Sequence, residues 1–535
     1  MREKSGPPFP HHDVYHNPTL VNREQSCLVK RHPLTRPSVP PAGPQGAFGD
    51  GTGSEYNVIL CFTLKELRVA EEKFDLIIVG SGPAGYVAAV RAAQLGKKVA
   101  CVERTELGGI CLNWGCIPTK ALIQDAHFMH QMTHVAPEYG LKIDTAKLQW
   151  DKIVARSRGT AATMRKGIEF LFKKNKVTAF VGNAFVSKAG TVEVRDASGK
   201  NTHTLSTDKI LIVTGARSRE LSGIKADGKR IITSREAMIL PEIPKRMVII
   251  GAGAIGVEFA YVYNAFGTQV TLVEMLPDIL PIEDAEISAG LRTIFAKRGI
   301  DVRTRTRTEK VELTDKTAKV TLLDQTKNTQ SVVETDVVLL AVGVTGNVEG
   351  LFAPPAQPLV DRGAIKVNKA FETSVPGIYA AGDVIGPPWL AHVASMEATI
   401  AVERMFGVNN REMDYSLIPG CTYCSPQVAS VGLTESKCQE MGLKIKVGKY
   451  RFANNGKAQA IGEPDGMVKL VFDEKHGELL GAHILGAEAT EMLAELVLAK
   501  RLEATSTELF TTIHAHPTLS ETIMDAAGAA VGLGH

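Results

Sequence analysis

Two cysteines, Cys111 and Cys116, stand in the stretch GGICLNWGCIPTK with four residues between them. Thiols at that separation can close a short-loop disulfide, and such a bond in an irregular turn is readily reduced, as a redox-active disulfide must be. Geometry constrains the backbone between them. Residues five apart in a regular α-helix have Cα atoms roughly 8.7 Å apart, and a disulfide needs less than about 7 Å. If the pair bonds, the chain cannot be regular helix at Cys111, and Asn113 and Gly115 suit an irregular turn into a helix. The spacing by itself leaves two buried thiols at chance separation as an equal reading. Dithiol chemistry also needs a base poised near neutrality, for which histidine is the default. Among 14 histidines, His516 stands out because it lies in HPTLSE, where Pro517 can open a helix and Glu521 follows five residues on. A carboxylate on one ring nitrogen fixes the tautomer and raises the basicity of the other. His514 reads as structural.

The elements that would position this chemistry are written twice. FDLIIVG is a buried strand; GSGPAG supplies Gly80, Gly82 and Gly85; the helix YVAAVRAAQLG follows; and the strand KVACVE ends at Glu103, 23 residues after Gly80. The glycines permit a tight turn, approach of the backbone to a pyrophosphate, and packing of helix on strand, while the acid suits a ribose. RMVIIG, then Gly251, Gly253 and Gly256, the helix VEFAYVYNAFG and the strand TQVTLVE repeat the unit, and Glu274 again lies 23 residues after the first glycine. Two units imply two dinucleotides. The first runs directly into the cysteine pair, so its ligand should carry a redox ring that reaches sulfur, and FAD fits. The second should carry the nicotinamide. Glu274 would accept from a free ribose hydroxyl and repel a 2′-phosphate, and no Arg follows in EMLPDILP, so NAD is favoured over NADP.

With these pieces in place, the chain resembles the pyridine nucleotide–disulfide oxidoreductases from about Phe74 nearly to its C-terminus. The resemblance rests on GGICLNWGCIPTKAL, VTGA at 213–216, LLAVG at 339–343, GIYAAGDV at 377–384, LAH at 390–392 and HAHPTLSE at 514–521. It implies a branch of the family that oxidises protein-bound dihydrolipoyl groups with NAD+. It makes Cys111 the sulfur that meets substrate and Cys116 the one beside the flavin. His516 becomes the acid–base group, reaching the other subunit's disulfide in a homodimer, with Glu521 as its partner. Asp383 would bond the ribityl chain, Trp389, Leu390, Ala391 and His392 would line the flavin, and Gly382 would let backbone approach it. Thr214, Gly215, Ala216 and Gly343 fit the crossing points between the nucleotide domains. Lys120 and Glu258 would pair beside flavin and nicotinamide, although from the sequence alone both read as helix-surface residues. Val344 stands where the family often has Arg.

The fold class implied is α/β: two Rossmann-like dinucleotide-binding domains plus a C-terminal α+β dimerisation domain. The expected boundaries are 74–220 and 345–415 for the FAD-binding domain, 221–344 for the NAD-binding domain and 416–535 for the dimerisation domain. Residues 1–73 are expected to be a disordered extension, rich in Pro, Gly and His, and a dispensable segment is favoured over a targeting signal. A net charge of +3 gives no argument for nucleic acid, and no apolar run reaches the roughly 18 residues of a membrane span. Eight sparse cysteines suit a reducing, cytoplasmic setting, with the mitochondrial matrix as the alternative if the extension is a transit peptide. The expected partners are lipoyl domains of 2-oxo acid dehydrogenase complexes or of the glycine cleavage system. The alternatives are another flavin disulfide reductase, of the glutathione or mercuric type, or a subunit that mainly docks on a multienzyme core. Three features read as structural. CTYC at 421–424 is a strand with its thiols on opposite faces and no partners for a metal, RTRTRT at 303–308 is an exposed strand, and AELVLAKRL near 494–502 is a packing helix.

Overall fold

The computed structural model describes residues 71–144 and 147–533. The expectation of disorder for the N-terminal extension lies outside the described residues up to position 70. Its last three residues differ from that expectation, because Glu71–Lys73 form a strand paired in parallel with Asn201–Ser206. The hydrogen-bonding edge of the neighbouring sheet makes a strand of these three residues, although they lie upstream of the apolar run.

Two parallel five-stranded sheets carry the two glycine units. In the first, the order is Ile378–Ala380, Ile210–Ile212, Leu76–Val79, Val99–Glu103 and Thr178–Val181. In the second it is Ile231–Ile232, Val337–Leu340, Arg246–Ile250, Gln269–Val273 and Asp301–Arg303. In both, the strand that feeds the glycine turn is central; Leu76–Val79 is wholly buried and Arg246–Ile250 is buried from Met247 on, which is why LIIV and MVII read as unbroken apolar runs rather than alternating ones. The strand Ile378–Ala380 returns to the first sheet after the chain has built the second. Where the chain crosses, Ala216–Ser218 pairs antiparallel with Val344–Gly346. Smaller sheets accompany each unit, antiparallel except where Glu71–Lys73 joins its sheet in parallel.

The C-terminal region is a five-stranded antiparallel sheet in the order Gly420–Thr422, Gln427–Gly432, Leu479–Gly486, Met467–Asp473, Ile445–Arg451. The helix Ala489–Arg501 buries Met492, Leu493, Leu496 and Ala499 against it, so the run near 494–502 is core packing. The helix Glu521–Ala530 packs on the same sheet. It begins at Glu521, and Pro517 lies in the preceding loop, so the expected helix start at Pro517 is displaced by four residues.

One apolar core joins parts distant in sequence. Leu122, Ile123 and Ala126 of the helix Cys116–His130 pack with Phe259 and Tyr263 of the helix Ala254–Ala265, and with Val428 and Leu485 of the C-terminal sheet. Residues 256–263 of that second helix are buried all round, as an internal helix must be. The expected strand at RTRTRT is interrupted: Asp301–Arg303 ends one sheet, Thr306–Leu313 begins another, and Arg305 between them takes φ 50°.

Candidate active site

Cys111 lies within the short helix Gly109–Trp114, and Cys116 opens the helix Cys116–His130. Irregular backbone at Cys111 is required only for a bonded pair; with both thiols free Cys111 lies in helix, and the irregular turn expected ahead of the cysteine helix is present. The break sits at Gly115, with φ −150° and ψ −116°, and it is this break that brings the two sulfurs together. Both cysteines carry free thiols. The two thiols are unequal. A hydrogen bond from Cys111 pulls the Cys116 thiol below its ordinary range, with help from the Lys120 ammonium against the opposing effect of burial. The same bond, reinforced by burial, pushes Cys111 well up. Position agrees, since Cys116 is the first residue of a 15-residue helix, where the helix dipole favours a thiolate.

The segment is seated on the first glycine turn. Gly108 N donates to Ser81 O at 3.1 Å and to Ser81 Oγ at 3.2 Å, and a Cβ on Gly109 would come within 2.6 Å of Gly82 Cα. Glu103 accepts from Ser81 N at 3.0 Å and Ser81 Oγ at 2.6 Å. In the second unit Glu274 accepts from Ala252 N at 2.8 Å and from Leu276 N at 2.9 Å. Each acid braces the turn of its own unit, and each carboxylate keeps acceptor capacity for a ribose hydroxyl.

The residues suit the two nucleotides. Gly253 has nothing within 4 Å of where a Cβ would stand, whereas Gly251 and Gly256 are closed by Ala341 O and by Gly251 O. Open space therefore faces the N-terminus of the helix Ala254–Ala265, where backbone N–H groups are available to a phosphate. Asp383 fits a hydroxylated ligand in the first unit. Burial lifts its carboxyl to about 6, and no described residue takes part in a side-chain hydrogen bond with it. Behind it Gly382 N donates to the buried Glu397 at 2.8 Å, and Tyr415 OH caps the same carboxylate at 2.7 Å.

Lys120 and Glu258, which sequence alone reads as surface residues, form a bidentate ion pair, with Nζ 2.9 and 3.0 Å from the two carboxylate oxygens. Glu258 is buried and also accepts from Tyr423 N at 3.0 Å. Thr214 Oγ1 donates to Asn347 O at 2.7 Å and Asn347 Nδ2 to Thr214 O at 2.9 Å, which locks the crossing strands beside Gly215 and Ala216. Gly343 O accepts from Arg219 N at 2.9 Å. Trp389 is exposed, Leu390 and Ala391 begin the helix Ala391–Met405, and the His392 ring bonds Pro419 O at 2.9 Å.

His516 Nδ1 lies 2.8 Å from Glu521 Oε1. The carboxylate is held below its usual range chiefly by the Thr518 N–H and further by His516. Being ionised it only accepts, so Nδ1 carries the hydrogen and Nε2 faces outward to take a proton. The His516 side chain is 79% exposed, and nothing within the described chain joins it to Cys111 or Cys116. His514 bonds Glu495 at 2.9 Å and Thr512 O at 2.9 Å, a structural arrangement.

Several site residues escape the sequence reading. Tyr86 lies near enough to the pair for both thiols to add to the effect of burial in raising its hydroxyl. In CTYC the chemistry sits on the tyrosine: the Lys120 ammonium stands 4.3 Å from the Tyr423 ring centre. Of its cysteines, Cys424 is buried with Sγ 3.2 Å from Pro426 O, and Cys421 is half-buried with its thiol pushed up to about 11, mainly by burial. The strand there ends at Thr422, so Cys424 lies beyond it, and the expected alternation of the two thiols across one strand does not arise. The Tyr423 contacts come from elements far apart in sequence, and only the unusual motif marked the place.

A dithiol pair between two dinucleotide units defines a class, and the chain belongs to it: residues 74–398 match the pyridine nucleotide-disulphide oxidoreductase family and residues 418–527 match that family's dimerisation domain. The chain is 45% identical to a dihydrolipoyl dehydrogenase of Rhizobium etli, across 86% of this chain and 98% of that protein. Its structure resembles LpdA of Mycobacterium tuberculosis, with TM-score 0.78 at 27% identity over 85% of this chain and 99% of that one. It also resembles the HOCl-induced flavoprotein disulfide reductase RclA of Escherichia coli, with TM-score 0.76 at 26% identity and coverage of 85% and 99%.

Proposed function

We propose that this chain is an NAD-dependent dihydrolipoyl dehydrogenase acting on protein-bound dihydrolipoyl groups. The observation that carries the reading is the unequal thiol pair at Gly115, wedged between one glycine turn and the helix that follows the other. The FAD-binding unit comprises residues 74–220 and 345–415, the NAD-binding unit residues 221–344 and the dimerising unit residues 416–535. FAD, when bound, relays two electrons from the reduced pair to NAD+.

The remaining steps belong to the chain. His516 of one subunit takes a proton from the substrate dithiol of the other subunit's site, with Glu521 holding its Nδ1–H. The substrate thiolate attacks Cys111 Sγ, the Cys111–Cys116 bond breaks, and Cys116 leaves as a thiolate beside Lys120. The second substrate sulfur then attacks the first, releasing Cys111 and closing the substrate disulfide. Two electrons and two protons have left the substrate, and they reappear as NADH and H+. No helix among the described residues is long and apolar enough to cross a membrane. A homodimer in the cytoplasm, serving lipoyl domains of 2-oxo acid dehydrogenase or glycine cleavage complexes, is the working form of this reading.

The test is an assay of the purified flavoprotein with dihydrolipoamide and NAD+, beside glutathione disulfide and NADPH. Turnover with the first pair is expected. Turnover with the second pair alone would replace this reading with a glutathione-type reductase.

A further inference from the structure

Trp114, two residues before Cys116, is gripped from outside its own loop. Its indole N–H donates to Glu106 Oε2 at 2.7 Å, and Arg165 meets the other oxygen of Glu106 at 2.6 Å. Two guanidiniums lie over the ring, Arg158 at 3.8 Å and Arg235 at 4.2 Å from its centre. Arg158 also donates to the Asn113 carbonyl inside the loop. Asn113, 1% exposed, anchors the inner side by donating to Leu107 O at 2.9 Å and Gly109 O at 3.0 Å.

The origins of the three arginines matter. Arg158 and Arg165 come from the helix Trp150–Lys174, which packs on the cysteine helix. Arg235 comes from the four-residue helix Ser234–Ala237, set by a Thr233–Glu236 capping box next to the second parallel sheet. Three cations and one carboxylate surround a single indole. Arg158 is disfavoured as a cation first by burial and then by Arg165 and Arg235, with Glu106 opposing. Like charges converge in that way only where something holds them, and the negative face of an indole does so. An aliphatic residue in place of Trp114 would leave Arg158 and Arg235 without an aromatic face to close on.

We propose that Arg235 is a positioning residue for the cysteine pair: by closing on Trp114 it ties the break at Gly115 to the second nucleotide unit. The thiols then meet in their reactive geometry when that unit is seated. The inference rests on the reading of Cys111 and Cys116 as the redox pair, but its test reads the thiols themselves and not only turnover.

The experiment is the pH profile of iodoacetamide alkylation of Cys116 and Cys111 in the reduced holoenzyme, by peptide mass mapping, for Arg235→Leu, Arg235→Lys, Trp114→Leu, Trp114→Phe and the double leucine variant. Loosening the loop weakens the Cys111–Cys116 hydrogen bond. Arg235→Leu is therefore expected to move the Cys116 midpoint up by about half a unit or more, and to lower kcat about threefold to tenfold with KM for NAD+ unchanged. Lysine and phenylalanine keep a cation over an aromatic face and are expected to restore most of the profile. The double variant is expected to be no worse than Trp114→Leu, because residues in direct contact are not additive. A wild-type alkylation profile in Arg235→Leu would overturn the proposal, as would a double variant whose defects simply add. Because the profile needs no dihydrolipoamide, a wild-type enzyme inactive with that substrate would sink the functional reading while the clamp is still judged.

Discussion

Lys120 Nζ is held by both oxygens of Glu258 at 2.9 and 3.0 Å, and this pair joins the helix that starts at Cys116 to the helix that follows the second glycine turn. One turn past Cys116, the ammonium is a principal positive charge acting on that thiol. In Lys120→Met the reduced protein should alkylate at Cys116 only at higher pH, by about one unit. Removing the cation also strands a buried carboxylate, which typically costs about 3–5 kcal/mol. Lys120→Met should therefore melt lower, and the double variant Lys120→Met/Glu258→Leu should recover stability while recovering the Cys116 profile only in part, because Glu258 opposes the effect of Lys120 on that thiol. Calorimetry and peptide mapping read the two effects separately.

Glu274 gives a prediction on cofactor choice. It already braces Ala252 N and Leu276 N, and its carboxylate keeps acceptor capacity for a ribose hydroxyl. Glu274→Arg should shift the ratio of kcat/KM for NAD+ over NADP+ toward NADP+ by at least about tenfold. The variant will also be somewhat less stable, because the turn loses two hydrogen bonds. An unmoved ratio in a folded variant would remove Glu274 from the discrimination.

A buried cation links the second unit to the C-terminal sheet. Lys469, 1% exposed, meets Asp284 at 2.9 Å, Glu286 at 2.6 Å and Glu435 at 2.7 Å. Burial alone would raise the Asp284 carboxyl, but the hydrogen bond and charge of Lys469 pull it below its ordinary range, and Glu286 follows the same pattern with Lys449 and Lys469. The three carboxylates in turn raise Lys469 against the effect of burial. The signs set the window. Depressed carboxyls contribute stability above their unfolded values, near about 4, and lose it as pH falls toward the folded ones. A raised ammonium contributes below its unfolded value, near about 10.4, and loses it as pH rises past that. Lys469→Met should therefore lower stability by about 3–5 kcal/mol between pH 5 and 9, with the difference from wild type shrinking in acid. Denaturant unfolding across pH checks it.

The His516–Glu521 dyad predicts a separation of binding from chemistry. Glu521 fixes the tautomer through a 2.8 Å contact and lies on the opposite side of the ring from the outward nitrogen. Glu521→Gln keeps a hydrogen-bond acceptor but loses the charge, and should lower kcat with dihydrolipoamide by about tenfold or more. His516→Ala should lose about 10²-fold or more with FAD still bound. Retained turnover in His516→Ala would take the histidine out of its role.

What could be read from the chain was whatever is local. The glycine turns, the acids 23 residues on and the thiol pair are each contained in one short segment, and their spacing carries their chemistry. The break at Gly115 was half legible: a turn was required, but whether Cys111 stood inside or outside helix depended on the seat that Ser81 and Gly82 provide. Tyr86, Tyr423, Glu397 and Arg235 were illegible because their roles come from contacts between elements far apart in sequence. The strand Glu71–Lys73 was hidden for a related reason, since a parallel neighbour rather than apolar patterning makes it a strand.

The central claim is that Cys111 and Cys116 alternate between dithiol and disulfide, driven one way by a dihydrolipoyl group and the other by NAD+. The direct measurement is thiol mapping of the anaerobic holoenzyme, by mass spectrometry after alkylation, following excess NAD+ and then excess dihydrolipoamide. The account predicts that Cys111 and Cys116 alone among the eight cysteines become protected together under NAD+, and that both return as thiols with dihydrolipoamide as NADH forms. A pair that stays alkylatable under NAD+, with NADH still produced from dihydrolipoamide, would contradict it.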